Sequence, residues 1–203
     1  MDKQLSSTYI AQNNQPHTGS HMGKKQAIAS SPLGRKLRGH PQAATPALAV
    51  LQEAGVAFHV YEYEHSLHRN QGWALDSAAV LDLPAETIFK SLMTEVDGKA
   101  LCAVIPANSM LNMKKLAHAV HGKHAAMMDQ TKAERLTGYV KGGISPLGQK
   151  EQAPVMIDES AIALDVIHIS GGKRSLTVGI APWDLEAVAH AAFADIADHG
   201  RHA

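Results

Sequence analysis

Cysteine is nearly absent: Cys102 stands alone in 203 residues, so no intramolecular disulfide can form and the chain suits a reducing compartment. Long apolar runs are missing as well. Nothing approaches the roughly 18 to 20 residues that span a bilayer, and the first residues contain no continuous apolar core of the signal-peptide kind, so the expected location is cytoplasmic. Nor is there an excess of either charge, with 19 Lys+Arg against 19 Asp+Glu. That balance conceals an asymmetry, because residues 1–44 hold six basic side chains against one acid and the remainder holds 13 against 18. An acidic body argues against a general nucleic-acid coat protein, whose affinity comes from neutralising phosphates over a broad basic face. A small basic patch stays compatible with it.

Two catalytic signatures are also missing. No stretch fits the phosphate-cradling GxxxxGK[ST] loop, which excludes the ATPase reading at the level of the motif. No GxSxG elbow presents Ser145 or Ser170 as a triad nucleophile. Cys102 lies in an apolar strand pattern, Leu101 to Ile105, with no base or cation beside it, and reads as core. His118, His121 and His124 are spaced so that only neighbours share a helix face, and Gly122 interrupts them, so they read as solvated side chains and no metal is expected.

What the chain does contain divides at Thr45. Residues 1–44 are rich in Gln, Asn, Ser, His and Gly without hydrophobic periodicity and read as a disordered basic leader. Gly19-Ser20-His21-Met22 within it reads as an expression scar. The segment from Lys24 to Arg38 reads as an unstructured polar stretch, with a nucleic-acid arm as the alternative. From Thr45 onward one domain extends to about residue 200. Thr45 as N-cap, Pro46 at the first helical position and Gly55 beyond the end predict a helix over Pro46 to Ala54. Alternation predicts a strand from Val56 to Tyr63, and Leu75 to Leu81 and Pro84 to Ile88 read as helices. Asp97-Gly98 predicts a hairpin between strands at Phe89 to Met93 and Ala100 to Ile105. Asn112 caps a helix reaching Val120, and Thr131 with Glu134 predicts a capping box for a helix closed by Gly138. Val155 to Ile157, Val166 to Ile169 and Leu176 to Ile180 read as strands, with Gly171-Gly172 as the hairpin turn between the last two. Pro182 to Ala197 reads as a closing amphipathic helix. Strands and helices without regular βαβ alternation predict an α+β fold: a single domain with a mixed, curved, barrel-like sheet flanked by helices.

Two glycine loops carry cations. One runs from Thr137 to Lys150 and the other from Ser170 to Ser175. Glycine tolerates positive φ and lets a ligand approach the backbone, so the adjacent Gly142 and Gly143 suggest peptide N–H groups turned toward an anion or a carbonyl oxygen. The second loop reads equally as a plain turn. Lys90, inside the apolar run Ile88 to Met93, either faces solvent from a half-buried strand or points into a cavity as a cation. Together these residues describe a site able to stabilise an oxyanion and orient a substrate that brings its own reactive group.

The combination of Thr45-Pro46, Tyr63-Glu64-His65, Phe89-Lys90-Ser91-Leu92, Met113-Lys114-Lys115-Leu116-Ala117, Gly142-Gly143-Ile144-Ser145-Pro146-Leu147-Gly148-Gln149-Lys150 and Ser170-Gly171-Gly172-Lys173-Arg174 resembles the YbaK branch of the YbaK/prolyl-tRNA synthetase editing-domain family, from about Thr45 to Asp198. The resemblance implies a trans-editing deacylase for Cys-tRNA(Pro). It would act without metal or other cofactor on the tRNA(Pro) acceptor end, alongside prolyl-tRNA synthetase. The substrate's own thiol would attack the ester and leave as a thiolactone. By position, Lys90 is implied as the site lysine and Gly142 as the backbone group at the reacting carbonyl. Tyr63, Trp73, Gly143, Ile144, Ser145, Ser170, Gly171, Gly172 and Thr177 are implied as substrate contacts, and Lys141, Lys150, Lys173 and Arg174 as tRNA contacts. The chain departs from the family pattern at Trp73-Ala74, where Phe-Gly is commoner, at Ser175 in place of glycine, and at Thr177, a position associated with aspartate. A deacylase for Ala- or Ser-tRNA, or a non-catalytic adaptor for tRNA or synthetase, remains as the alternative.

Overall fold

The computed structural model describes residues 6–10, 45–63 and 72–199. In chain order these form β1 (Ser6–Ile10), α1 (Pro46–Ala54), β2 (Phe58–Glu62), α2 (Trp73–Leu81), β3 (Phe89–Val96), β4 (Lys99–Pro106), β5 (Met110–Leu111), α3 (Met113–Ala119), β6 (Ala125–Met127), α4 (Gln130–Thr137), β7 (Val155–Asp158), β8 (Ile167–Ser170), β9 (Leu176–Ile180), α5 (Pro182–Ala189), β10 (Ala192–Ala194) and β11 (Ala197–Asp198). Short 3-10 turns occupy Ala85–Thr87 and Glu159–Ala163. The first turn stands where a helix from Pro84 to Ile88 is expected.

One sheet is wholly antiparallel in the order β1-β2-β9-β8. A second has the order β10-β7-β4-β3-β6 and is mixed, with β10, β7 and β4 parallel and β4, β3 and β6 antiparallel, and β11 with β5 makes a third, two-stranded sheet. A bridge between Ile88 and His168 joins the two larger sheets. The architecture is therefore the expected mixed α+β domain, with its two larger sheets joined at one bridge rather than one closed barrel. β4 lies inside its sheet and is buried on both faces: Cys102 and Val104 enter one core, Leu101, Ala103 and Ile105 the other. Its continuous apolar run follows from that position.

The first core gathers Leu48 and Leu51 of α1, Phe58, Ile167, Ile169, Leu176, Val178 and Ile180 of the antiparallel sheet, and Leu185 of α5. Each of these side chains contributes roughly 1.5–3 kcal/mol by leaving water. The antiparallel sheet thus turns one face to the core. Period-two alternation leaves His59, Tyr61, His168, Ser170 and Thr177 on its other face.

Helix starts follow local chemistry. Thr45 Oγ1 accepts the Leu48 N–H at 3.2 Å, and Gly55 takes the left-handed conformation at the end of α1. Asn112 Oδ1 accepts the N–H groups of Lys114 and Lys115, each at 3.0 Å. At α4 the cap is Asp129, whose Oδ1 accepts the Lys132 N–H at 3.0 Å, and Thr131 lies inside the helix. The Thr131 capping box is corrected accordingly.

Two larger expectations also change. Within the leader read as disordered, Ser6–Ile10 pairs antiparallel with β2. Residues 1–5 and 11–44, with the scar and the basic segment, lie outside the described residues. The closing helix expected to reach Ala197 ends at Ala189, where His190 turns left-handed at φ 49°. The chain then pairs with β7 as β10 and with β5 as β11. Phe193 packs against the first core while Ile196 enters the second. Sheet pairing satisfies the same apolar side chains that the helical spacing suggested.

Asp158 fastens this ending. Its buried carboxylate accepts the Ile196 N–H at 3.1 Å, the Ala197 N–H at 2.9 Å and the Ser160 hydroxyl at 2.6 Å. Asp158→Ala strands those amide donors, and the expected loss is about 2–4 kcal/mol. A lower urea midpoint and faster amide exchange at Ile196 and Ala197 are the readouts.

Candidate functional site

The two glycine loops meet with almost no space between them. A Cβ on Gly143 would stand 2.9 Å from the Lys173 carbonyl carbon, so backbone packs directly on backbone there. The first loop is braced from inside. Tyr139 donates its hydroxyl to Leu147 O at 2.8 Å, with Gly148 O at 3.0 Å, and burial pushes its phenol up to about 12. Ser145 is fully buried and its Oγ accepts the Leu147 N–H at 3.3 Å. The Lys150 N–H returns to Thr137 O at 2.9 Å and ties the loop ends together. The second loop occupies Gly171 to Ser175 and is longer than the expected Gly171-Gly172 turn. The Gly171 N–H donates to Leu176 O at 2.9 Å, and Thr45 Oγ1 donates to Gly171 O at 2.6 Å. Thr45 therefore caps α1 and anchors this loop with one side chain.

Between these loops, α2 and β3 lies a cavity of about 420 Å³. Its described lining includes Tyr63, Trp73, Lys90, Lys141, Gly142, Ile144, Ser170, Lys173 and Thr177 and no carboxylate. Nine of the residues singled out from the sequence thus converge on one space. Gly143, Ser145, Gly171, Gly172, Lys150 and Arg174 do not line it. Gly143 and Gly172 serve loop packing instead: a Cβ on Gly172 would meet the Tyr139 ring at 2.9 Å.

Lys90 takes the cavity option of its two readings. Its ammonium donates to Ala107 O at 2.9 Å and Ser109 O at 2.7 Å. Burial lowers its pKa, since withdrawing the ammonium from water disfavours the charged form. An ammonium has three N–H donors, and two are committed to these carbonyls. Gly142 adopts φ +85° and lies under Trp73, so a Cβ there would stand 2.6 Å from the indole. Arg174 covers the Trp73 ring, with Cζ 4.6 Å from a ring centroid, and its Nε donates to Lys141 O at 3.0 Å. The indole and the Gly142 peptide hold each other in place. Among the described residues the Gly142 N–H has no acceptor, whereas the Gly143 N–H is committed to Val140 O at 2.9 Å. One of the two expected backbone donors is thus spent on a turn. Lys173 pairs with Glu62 at 2.9 Å on the surface, and Lys141 and Lys150 are exposed.

Sequence reasoning missed Ser77, Ser91 and His168, all in the lining. Ser77 follows Trp73 by one helical turn, a spacing that could have placed it on the same face. Ser91 Oγ is buried without a hydrogen-bond partner among the described residues. His168 approaches Thr87 O through Nδ1 at 3.4 Å, and burial lowers its pKa, keeping the ring neutral at pH 7. Cys102 is fully buried and its thiol is pushed up to about 12, as suits core packing.

Residues 68–188 match the family model of the aminoacyl-tRNA editing domain, more than half of the chain. The chain belongs to that family. An Enterococcus faecalis relative, named as a candidate Cys-tRNA(Pro)/Cys-tRNA(Cys) deacylase, EbsC, is 34% identical over 157 residues, covering 76% of this chain and 94% of the relative. The proline--tRNA ligase of Lactobacillus helveticus is 25% identical over 96 residues, which are 47% of this chain and 17% of that enzyme. A solved structure described as a candidate trans-editing enzyme for prolyl tRNA synthetase superposes with a TM-score of 0.67 at 22% identity, covering 79% of this chain and 99% of that one. It shares the editing-domain fold.

Gly142→Ala should dislodge the Trp73 indole, because the new methyl overlaps it and the φ disfavours any side chain. A shifted tryptophan emission with unchanged far-UV dichroism is the expected result. Cys102 should resist iodoacetamide at pH 8 in the native protein and react once unfolded, since only the thiolate attacks; mass spectrometry distinguishes the two.

Proposed function

We propose that this protein is a trans-editing aminoacyl-tRNA deacylase that removes cysteine from mischarged Cys-tRNA(Pro) in the cytoplasm. Residues 45–200 are the editing domain, and prolyl-tRNA synthetase is its companion. The observation that carries the reading is that Lys90 and Gly142 line one cavity whose described lining contains no carboxylate, with Cys102 sealed in the core. Such a site supplies orientation and donors and leaves the nucleophile to the substrate. The Enterococcus faecalis relative, named for Cys-tRNA substrates, supports the substrate class.

In this reading the cysteinyl sulfur attacks the ester carbonyl carbon. A C–S bond forms, the bond from that carbon to the ribose oxygen breaks, and the thiol proton ends on the released ribose hydroxyl. The product is a cyclic thiolactone. The Gly142 N–H faces the oxyanion of the tetrahedral state, and Lys90 holds the ester and terminal ribose with its remaining donor. Trp73, Tyr63 and Ile144 shape the aminoacyl pocket, with Ser170 and Thr177 along its wall. Lys141, Lys150, Lys173 and Arg174 face the acceptor end. Intramolecular attack from a fixed conformer is worth several orders of magnitude in rate.

Deacylation of Cys-, Ala-, Ser- and Pro-tRNA(Pro) by the purified protein tests the proposal. Cys-tRNA(Pro) should be cleaved fastest, and Lys90→Ala should lower that rate about 10²–10³-fold. Equal rates on Ser-tRNA or Ala-tRNA would remove the thiol mechanism. Binding without turnover across the panel would point to an adaptor.

A further inference from the structure

Among the described residues, the hydroxyl protons along one wall of the cavity have one arrangement that satisfies the contacts they make with one another. Ser77 Oγ lies 2.8 Å from Trp73 O, and a carbonyl only accepts, so the Ser77 proton is committed there. Tyr63 lies 2.5 Å from Ser77 Oγ and must then donate to it. Thr177 Oγ1, 3.2 Å from the Tyr63 hydroxyl, must in turn donate to Tyr63. Thr177 is thereby left with lone pairs alone for anything that enters the cavity.

Ser170 is the direct cross-strand partner of Thr177, so both side chains leave the same face of the sheet, and both line the cavity. Its polarity is opposite. Ser170 Oγ accepts the Gly172 N–H at 3.3 Å and keeps its own proton to give. The wall therefore presents a donor beside an acceptor, a few ångströms apart as cross-strand neighbours are. An α-aminoacyl ester carries the complementary pair on adjacent carbons, a carbonyl that accepts and an amine that donates in either protonation state.

We infer that Thr177 is a specificity residue that receives an N–H of the substrate's α-amino group, held in acceptor polarity by the Tyr63–Ser77–Trp73 chain, while Ser170 donates toward the ester carbonyl. This assignment rests on the deacylase reading. It takes an uncharged hydroxyl as the amine's recognition element, in a cavity whose described lining contains no carboxylate.

The test needs no turnover. Two unreactive ligands are titrated by calorimetry: the cysteinyl amide of 3′-amino-3′-deoxyadenosine, and the 3-mercaptopropionyl amide, which keeps the thiol and carbonyl but lacks the amine. The cysteinyl ligand should bind about tenfold more tightly, the worth of one well-formed hydrogen bond to a charged or strongly polar donor. Thr177→Val should bring the two affinities within about twofold, and Thr177→Ser should restore the preference. Tyr63→Phe, which frees the Thr177 proton, should weaken it. Equal affinities in the wild-type protein, or a preference that survives Thr177→Val, overturns the inference while leaving the deacylase reading in place. Failure of both ligands to bind overturns the reading itself and this inference with it.

Discussion

The site depends on one close contact, the backbone of Gly143 lying against Lys173 and Arg174 with no room for a side chain. That contact makes two surface loops into one wall. Each loop is also held from behind: Thr45 binds Gly171 O from the first residue of a helix cap, and Tyr139 packs on Gly172 while bonding across its own loop. Gly148 lies against Pro46, so the start of α1 touches both loops. A glycine-rich segment is entropically costly to order. Here the cost is offset by a buried tyrosine, a buried serine and a helix terminus, each acting on backbone atoms.

Rigid walls matter for the chemistry because the described lining of the cavity contains neither a cysteine nor a carboxylate. The one thiol is in the core and its pKa is raised by burial. What the cavity offers is direction. Lys90 is aimed by two carbonyls, the Gly142 peptide is pinned beneath an indole that Arg174 covers, and a line of hydroxyls has a fixed donor order. A preorganised set of donors and acceptors costs no reorganisation when charge develops on a bound ester. The lowered pKa of Lys90 is the electrostatic trace of the same arrangement, a cation held half-buried and partly desolvated.

Much of the fold was legible because local chemistry and tertiary structure agreed. Thr45-Pro46 with Gly55, Asn112, Asp97-Gly98 and the alternating strands all act within a few residues of themselves, and all appear where expected. Agreement failed where distant groups competed. The 3.6-residue apolar spacing beyond Ala189 is real, yet Asp158 captures the Ile196 and Ala197 amides and β7 takes the segment as a strand. Helical periodicity does not register an acceptor 38 residues away. Thr131 lost the cap to Asp129 because either oxygen can reach an N3 amide, and only the backbone's entry angle decides between them.

The sequence by itself determined the chemical inventory: two glycine loops with lysines, one cationic side chain in an apolar strand, a core cysteine and an α+β element order. These are local properties of composition and spacing. Tertiary structure alone decided which of those groups share a cavity. Lys90 and Gly142 are brought together across the sheet and loop, while Ser145 and Gly143 are turned to bracing. It also decided the polarity of Thr177, because a hydroxyl can give or take a proton. Only its contact with Tyr63, 114 residues away, removes the choice.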